Sequence, residues 1–264
     1  MNQFSKPLKK NKFKNHPHRK RWGQNFLKDK NILNKIVRTI YLTTKDSILE
    51  IGPGKGALSE KVLPRVKEMI AIEIDPLLIN HLKSSSILDN LSVVCGDILD
   101  QKICDLPISN PVRVIGNIPY NITSPIIFWL IEQLEFWSDA HIMMQKEVAD
   151  RLTASVGTKS YGRLTVVTGA YLNAKYCFSI SPNVFSPKPK VKSAIIHFTK
   201  KKYPLVKNKN FKRFNSIVAA AFNQRRKMLS NSLSKFDISD ETKMEIDFSR
   251  RPETLEVKEF VSLV

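Results

Sequence analysis

The chain predicts an α/β fold: a doubly wound, Rossmann-like sheet followed by a small all-α C-terminal domain. Three observations carry this. Short apolar runs (47–51, 68–74, 91–94, 113–116 and 141–145) alternate with segments of helical periodicity, the pattern of repeated β-α-β units. Glycines 52, 54 and 56 follow the first run, where open α/β sheets turn at their carboxyl edge to meet a ligand. After Lys200-Lys201-Lys202, strand-like runs give way to helical spacing.

Taken in order, residues 1–20 hold Lys9-Lys10-Asn11-Lys12 and a basic stretch from His16 without hydrophobic periodicity, and read as a disordered basic arm. A mitochondrial transit peptide competes with that reading, although Lys dominates where such peptides favour Arg. The sheet domain spans 21–202. Ile32, Leu33, Ile36, Val37 and Ile40 have helical spacing within 31–40. Ser47–Ile51 reads as a strand, 57–66 as a helix and 68–74 as a strand. Asp75 and Pro76 suit the N-cap and first position of the next helix. Strands follow at 91–94 and 113–116, an apolar helix starts at Ser124-Pro125, and a strand at 141–145 leads into a short helix at 146–153. Residues 164–170 and 191–199 read as strands of a closing antiparallel hairpin around a proline-rich loop, 181–190. The domain 203–264 is helical over 211–233 and in shorter pieces over 241–264.

Of the 264 residues 42% are hydrophobic and 25% charged, as in soluble globular proteins. No apolar run approaches the ~20 residues of a membrane span, and the N-terminus lacks a secretory signal's apolar core. A cytoplasmic monomer is expected, with no membrane partner. Cys95, Cys104 and Cys177 are odd in number and form no Cys-x-x-Cys pair, so buried, reduced thiols are expected. The five histidines have no metal-ligand spacing, and no metal is expected.

The net charge is +19 and unevenly spread. Residues 1–28 hold nine Lys/Arg and no acid, residues 151–236 eighteen and no acid, and the rest of the chain carries −8. A basic face can simply be solvated. An 86-residue stretch without one carboxylate leaves a field that nothing neutralises, which points to a polyanion, and nucleic acid is the expected partner.

Glu50-Ile51-Gly52-Pro53-Gly54-Lys55-Gly56 has Gly-x-Gly-x-Gly spacing, not the Gly-x-Gly-x-x-Gly of dinucleotide enzymes, and so points to S-adenosyl-L-methionine. Glu50 can orient the loop from its strand. Glu73, 23 positions on, can accept from both ribose hydroxyls. Asp97, after the third strand, can accept from the cofactor's adenine amine. Each acid alone reads equally as a strand-end surface residue; three in sequence after three strands make a site.

Asn117-Ile118-Pro119-Tyr120 ends a later strand. The exocyclic amine of adenine is a poor nucleophile because its lone pair is delocalised. Hydrogen bonds from that amine to the Asn117 side-chain oxygen and to the carbonyl of Ile118 or Pro119 would make the nitrogen more tetrahedral and aim it at a sulfonium methyl. Tyr120 offers a stacking face worth ~1–3 kcal/mol for an extruded base. A strand-ending turn with an Asn cap is the plainer alternative. Phe185 covers the other face of the base, or is a core residue beside a stiff loop. Lys188 and Lys190 on that loop are expected phosphate contacts. Arg225, Arg226 and Lys227 either touch RNA or tie the small domain together, with Glu253, Glu256 and Glu259 as partners.

Together, Gly23-Gln24-Asn25-Phe26-Leu27, the 50–56 loop, Glu73-Ile74-Asp75, Asn117 to Tyr120, Gln145-Lys146-Glu147-Val148, Tyr161-Gly162-Arg163-Leu164, Phe185 to Val191 and Phe222 to Lys227 resemble the ribosomal RNA adenine dimethyltransferases of the KsgA/RsmA type. The resemblance runs from about residue 20 to the C-terminus. It implies a class I S-adenosyl-L-methionine-dependent methyltransferase domain that transfers four methyls to two adjacent adenosines in a hairpin loop near the 3′ end of small-subunit rRNA. A late checkpoint role in subunit assembly comes with it. It adds Asn25 and Leu27 to Gly52, Gly54, Glu73, Asp97 and Asn117 around the cofactor. A sister family acting on large-subunit rRNA shares the cofactor loop and the Asn-x-Pro-Tyr turn; Phe222 to Lys227 favours the small-subunit type. A non-catalytic RNA-binding assembly or transcription factor on the same fold is the rival from another class, and both intact motifs oppose it. The arm before Arg19 is longer than bacterial members lead one to expect.

Overall fold

A computed structural model describes residues 24–264; the basic arm expected over 1–20 lies outside the described residues. The strands are β1 (Phe26–Leu27), β2 (Ser47–Ile51), β3 (Glu68–Glu73), β4 (Ser92–Cys95), β5 (Val112–Asn117), β6 (Trp137–Gln145), β7 (Leu172–Ile180), β8 (Phe185–Ser186) and β9 (Ser193–Lys200). The α-helices are α1 (Lys30–Ile40), α2 (Ser59–Val62), α3 (Pro76–Lys83), α4 (Thr123–Glu132), α5 (Lys146–Leu152), α6 (Arg163–Tyr171), α7 (Phe211–Asn223), α8 (Leu229–Ser232), α9 (Asp240–Glu245) and α10 (Val257–Ser262).

Seven strands form one sheet in the order β4-β3-β2-β5-β6-β9-β7. The first five of these run parallel, and β9 and β7 close the sheet antiparallel. The chain winds outward from β2 in both directions, so the order switches between β2 and β5, where open sheets take ligands. Ile51 is in register with Gly116 there. A Cβ on Gly116 would lie 2.9 Å from the Ile51 carbonyl oxygen, so only hydrogen fits, and the turns after β2 and β5 emerge side by side.

Both faces of the sheet are covered, so its central strands are mostly apolar and buried on both faces rather than alternating strictly with polar residues. Along β2, Ile48 packs into a cluster with α1 (Leu33, Ile36 and Ile40), while Leu49 and Ile51 enter the larger core on the other face. That larger core continues through α4 and α6 into Phe214, Ile217 and Val218 of α7, and on to Leu255 and Phe260. Apolar packing therefore runs unbroken across residue 202. No helix among the described residues is long and apolar enough to cross a membrane.

Three expectations are corrected. Residues 164–170 are not a strand but most of α6, and the hairpin's first strand is β7. Thr165, Val166, Val167, Thr168, Ala170 and Tyr171 are all buried, so this helix has no polar face to mark a 3.6-residue period, and its β-branched residues imitate a strand. The helix expected over 57–66 is one α turn followed by a 3-10 turn, Leu63–Arg65, because Pro64 has no N–H to donate. Cys95 and Cys104 are exposed and Cys177 half-buried, all as free thiols; Cys95 ends the sheet's edge strand.

At the amino end of β5, Arg113 donates to Asp139 (2.7 and 2.9 Å), Asp46 (2.9 Å) and the Ile40 carbonyl (2.6 Å). Asp139, His141 and His197 bring ligand atoms within 4.8 Å of one another. Arg113 already supplies the cation to both Asp139 oxygens, and the two imidazoles stack 4.1 Å apart rather than converging. This is a charge network that closes the sheet's amino edge.

Candidate active site

Five segments meet at the carboxyl edge around a cavity of about 890 Å³: Gln24 to Leu27, the glycine loop, Glu73-Ile74, Gly96-Asp97 and Asn117 to Ile122. The glycine loop takes positive φ at Gly52 (67°) and Gly54 (60°), a conformation that L side chains resist. It is also crowded, since a Cβ on Gly54 would lie 3.1 Å from the Phe26 ring. Gly52 N–H donates to the Ile72 carbonyl (3.0 Å) and Gly54 N–H to Glu73 (3.1 Å).

Glu73 also accepts from the N–H groups of Ile74 (3.0 Å) and Asp75 (2.9 Å), so it anchors the loop as well as lining the cavity. Burial pushes its pKa up despite those bonds. Glu50, 1% exposed, is pushed to about 7 by burial, which outweighs the Ser59 hydroxyl bond; the nearby Glu73 charge adds to the rise. Asp97 caps the 3-10 turn Ile98–Asp100 by accepting from Leu99 N–H (3.0 Å) and faces the same cavity. Gln24 contributes a buried side-chain oxygen with no hydrogen-bond partner among the described residues.

These residues fit S-adenosyl-L-methionine. The turned loop lets backbone approach a nucleoside without intervening side chains, two buried carboxylates with no ion pair among the described residues suit a cationic ligand, and Asp97 and Gln24 offer acceptors. The cofactor brings a methyl group bound to a positively charged sulfur.

Asn117 ends β5 beside this loop. Its side-chain N–H2 donates to the Asn25 carbonyl (3.1 Å), which leaves the amide oxygen to accept from a guest. Asn25 thus enters through its main chain, on a segment pinned by three ties. β1 pairs with β8, Gln24 donates to Asp75 (3.1 Å), and Lys28 N–H donates to the Val184 carbonyl (3.0 Å). Leu27 of this segment is buried and lines the cavity. Pro119 lines the cavity too, and its carbonyl accepts from Ile122 N–H (3.2 Å), closing the turn that presents Tyr120. The Tyr120 hydroxyl lies 2.7 Å from that of Ser193.

Phe185 requires correction as a cover for the target base. It is 5% exposed, pairs with Leu27 between β8 and β1, shares an apolar cluster with Met143, Ile180 and Ile195, and is not among the residues that line the cavity. The strand pairing turns it inward. Lys188 and Lys190 stand exposed on the loop that follows. Of the three basic residues after α7, Arg226 and Lys227 are exposed, but Arg225 donates to the carbonyls of Lys159 (2.6 Å) and Thr158 (2.9 Å) and sits 3.8 Å from Glu253. Arg225 ties the α5–α6 loop to the C-terminal helices. Phe26 and Ser193 went unassigned in the sequence, where only the motif containing Phe26 hinted at the strap and nothing marked Ser193.

The model for the family "Ribosomal RNA adenine dimethylase" matches residues 15–264. A protein of Legionella pneumophila (strain Corby) named ribosomal RNA small subunit methyltransferase A is 40% identical over 250 residues, covering 94% of this chain and 97% of that protein. A protein of the same name from Alcanivorax borkumensis is 38% identical over 252 residues, covering 95% and 90%. Among solved structures, a dimethyladenosine transferase from Plasmodium falciparum superposes with a TM-score of 0.76 at 28% identity, covering 90% of this chain and 95% of that one. The 23S rRNA methyltransferase ErmE superposes with a TM-score of 0.67 at 27% identity, covering 90% and 97%. With the cavity, the glycine loop and the Asn117 turn in place, this chain belongs to the ribosomal RNA adenine dimethylase family, as an S-adenosyl-L-methionine-dependent rRNA adenine methyltransferase of the KsgA/RsmA type.

Proposed function

We propose that this enzyme dimethylates N6 of two adjacent adenosines in the 3′-terminal hairpin loop of small-subunit rRNA, late in subunit assembly, acting as a cytoplasmic monomer. The chemistry rests on one observation: the Asn117 side-chain N–H2 donates to the Asn25 carbonyl, which assigns the accepting role toward a guest to its amide oxygen. That oxygen takes one hydrogen of the adenine amine, and a backbone carbonyl of Ile118 or Pro119 takes the other. The nitrogen lone pair is thereby drawn out of the ring and aimed at the methyl group. After transfer the nitrogen carries a surplus proton and is acidic enough to lose it to water. A monomethylated amine still has one hydrogen to donate, so one of the two acceptors holds it for the second transfer. Tyr120 stacks on the extruded base.

Choice of subunit is supported by the names of the relatives from Legionella and Alcanivorax. Lys188, Lys190, Arg226 and Lys227, exposed and outside any ion pair among the described residues, are the cations we assign to RNA phosphates; Arg225 serves the fold instead. The likeness to ErmE favours the large subunit as the second reading. Methyl transfer from labelled cofactor to immature small and large subunits, followed by primer extension, separates the two. Label in the small subunit with stops at two adjacent adenosines is expected; label in the large subunit alone would overturn the proposal.

A further inference from the structure

Tyr120 and Ser193 come from separate parts of the sheet. Tyr120 opens the turn after β5, and Ser193 is the first residue of β9, with β6 lying between the two strands. Ser193 is 0% exposed and gripped on both sides, in register with Gln145 of β6 and Ile180 of β7. Its hydroxyl is 2.7 Å from that of Tyr120.

The backbone around Tyr120 is already defined. Pro119 has φ −58°, and the Thr123 hydroxyl donates to the Tyr120 carbonyl at 3.2 Å. Neither contact fixes the side-chain torsions of Tyr120, which is only half-buried and lines the cavity. A hydrogen bond at the far end of the ring does fix them. It reaches the hydroxyl at the ring's edge and so leaves the π-face free for a base. We propose that Ser193 is a positioning residue for methyl transfer: through the Tyr120 hydroxyl it sets the plane of the ring on which the target adenine stacks. This rests on Tyr120 being the base's platform.

Ser193 also ends the loop that carries Lys188 and Lys190, and the residue before it, Lys192, accepts from Lys146 N–H at 2.9 Å. The platform and that basic loop therefore share one buried anchor, which fixes where a base sits relative to the backbone phosphates beside it.

A double-mutant cycle tests this in the full-length protein, with single-turnover transfer to immature small subunits and cofactor affinity by calorimetry as readouts. Ser193→Ala and Tyr120→Phe should each slow transfer by about 3- to 10-fold, the worth of one hydrogen bond, and leave cofactor affinity unchanged. The double variant should be no slower than the slower single one, because both changes remove the same bond. Ser193→Thr, which restores the hydroxyl, should recover most of the rate. Losses that multiply in the double variant would overturn the proposal, as would a full transfer rate in Tyr120→Phe, which deletes the bond from the other side without touching the buried strand. Wild-type protein that labels no adenine would instead remove the functional reading beneath it; an active wild type with multiplying losses removes only the role of Ser193.

Discussion

Strand β5 ends in opposite ways. At its amino end Arg113 is saturated by Asp46, Asp139 and two carbonyls, and at its carboxyl end Asn117 lines a cavity with its N–H2 held by the Asn25 carbonyl. The acids around the two ends behave accordingly. Burial opposes ionisation of Asp139, but hydrogen bonds from Arg113 and His197 outweigh it and hold the carboxyl well below its usual range. Glu50 and Glu73 are buried with a hydroxyl and backbone N–H groups for partners and no ion pair among the described residues, and both are pushed up. Burial is common to both ends, and the partner decides the sign. A buried acid with its cation is part of the frame, whereas one that lacks a cation in a cavity wall marks where a cationic ligand belongs.

The strongest way to break this contrast is at Asn117. Asn117→Ala should lower turnover by about 100- to 1000-fold, in the range seen when one preorganised hydrogen-bonding group is removed from a reacting centre. Cofactor affinity should stay within about tenfold, since the glycine loop, Glu73 and Asp97 are intact. Single-turnover transfer and calorimetry give both numbers, and near-normal turnover would remove Asn117 from the chemistry. Next comes the opposite end. Arg113→Met strands Asp139 and Asp46 without their cation and should cost about 3 kcal/mol of stability, with affinity per folded molecule unchanged. Denaturant unfolding reads this, and a variant as stable as wild type would show that the network contributes nothing.

How much of this was legible beforehand differs by region for physical reasons. The glycine loop, the strand-end acids and the Asp75 cap with Pro76 following are local patterns, and the structure has them where the sequence placed them; the Asp75 side chain accepts from Leu77 N–H (3.0 Å). The failures are non-local. Helix α6 is buried all round, so its period is invisible. Phe185 is turned inward by pairing with a strand some 160 residues earlier. Arg225 sits in an exposed-looking basic run, but carbonyls from the α5–α6 loop take its donors. Asn25 acts on Asn117 through a main-chain carbonyl, which any residue type could supply. The Ser193–Tyr120 bond joins positions that only the sheet order brings together.

A smaller effect should appear in the pH dependence of the cofactor-free protein. The folded pKa of Glu50, about 7, lies above its ordinary 4.5, so the folded chain holds a proton that the unfolded chain releases. This contribution to stability is fully present below pH 4.5 and is lost as pH rises through 7. Glu50→Gln keeps an acceptor for the Ser59 hydroxyl and removes the charge, so it should be more stable than wild type at pH 8 by about 2 kcal/mol, with the difference vanishing near pH 4. Melting temperatures across that range test it, and parallel curves for the two proteins would show that Glu50 is not the group responsible.

The finest comparison makes the same chemical change at both ends of the sheet. Glu73→Gln preserves one side-chain oxygen for the N–H groups of Ile74 and Asp75, but its new N–H2 cannot accept from Gly54 N–H, so the glycine loop loses a tie. It also removes a negative charge facing the cavity. Losing that buried charge relieves a cost of burial while losing the tie adds one, so stability should change little. Cofactor affinity should fall by about 1–2 kcal/mol, roughly tenfold. Asp139→Asn removes the same charge from between Arg113 and His197, where burial was already offset, and should lower stability while leaving affinity alone. Calorimetry and unfolding on the two variants give four numbers. If both lost stability equally with affinity intact, Glu73 would be a frame residue like Asp139, and the distinction between the two edges would fail.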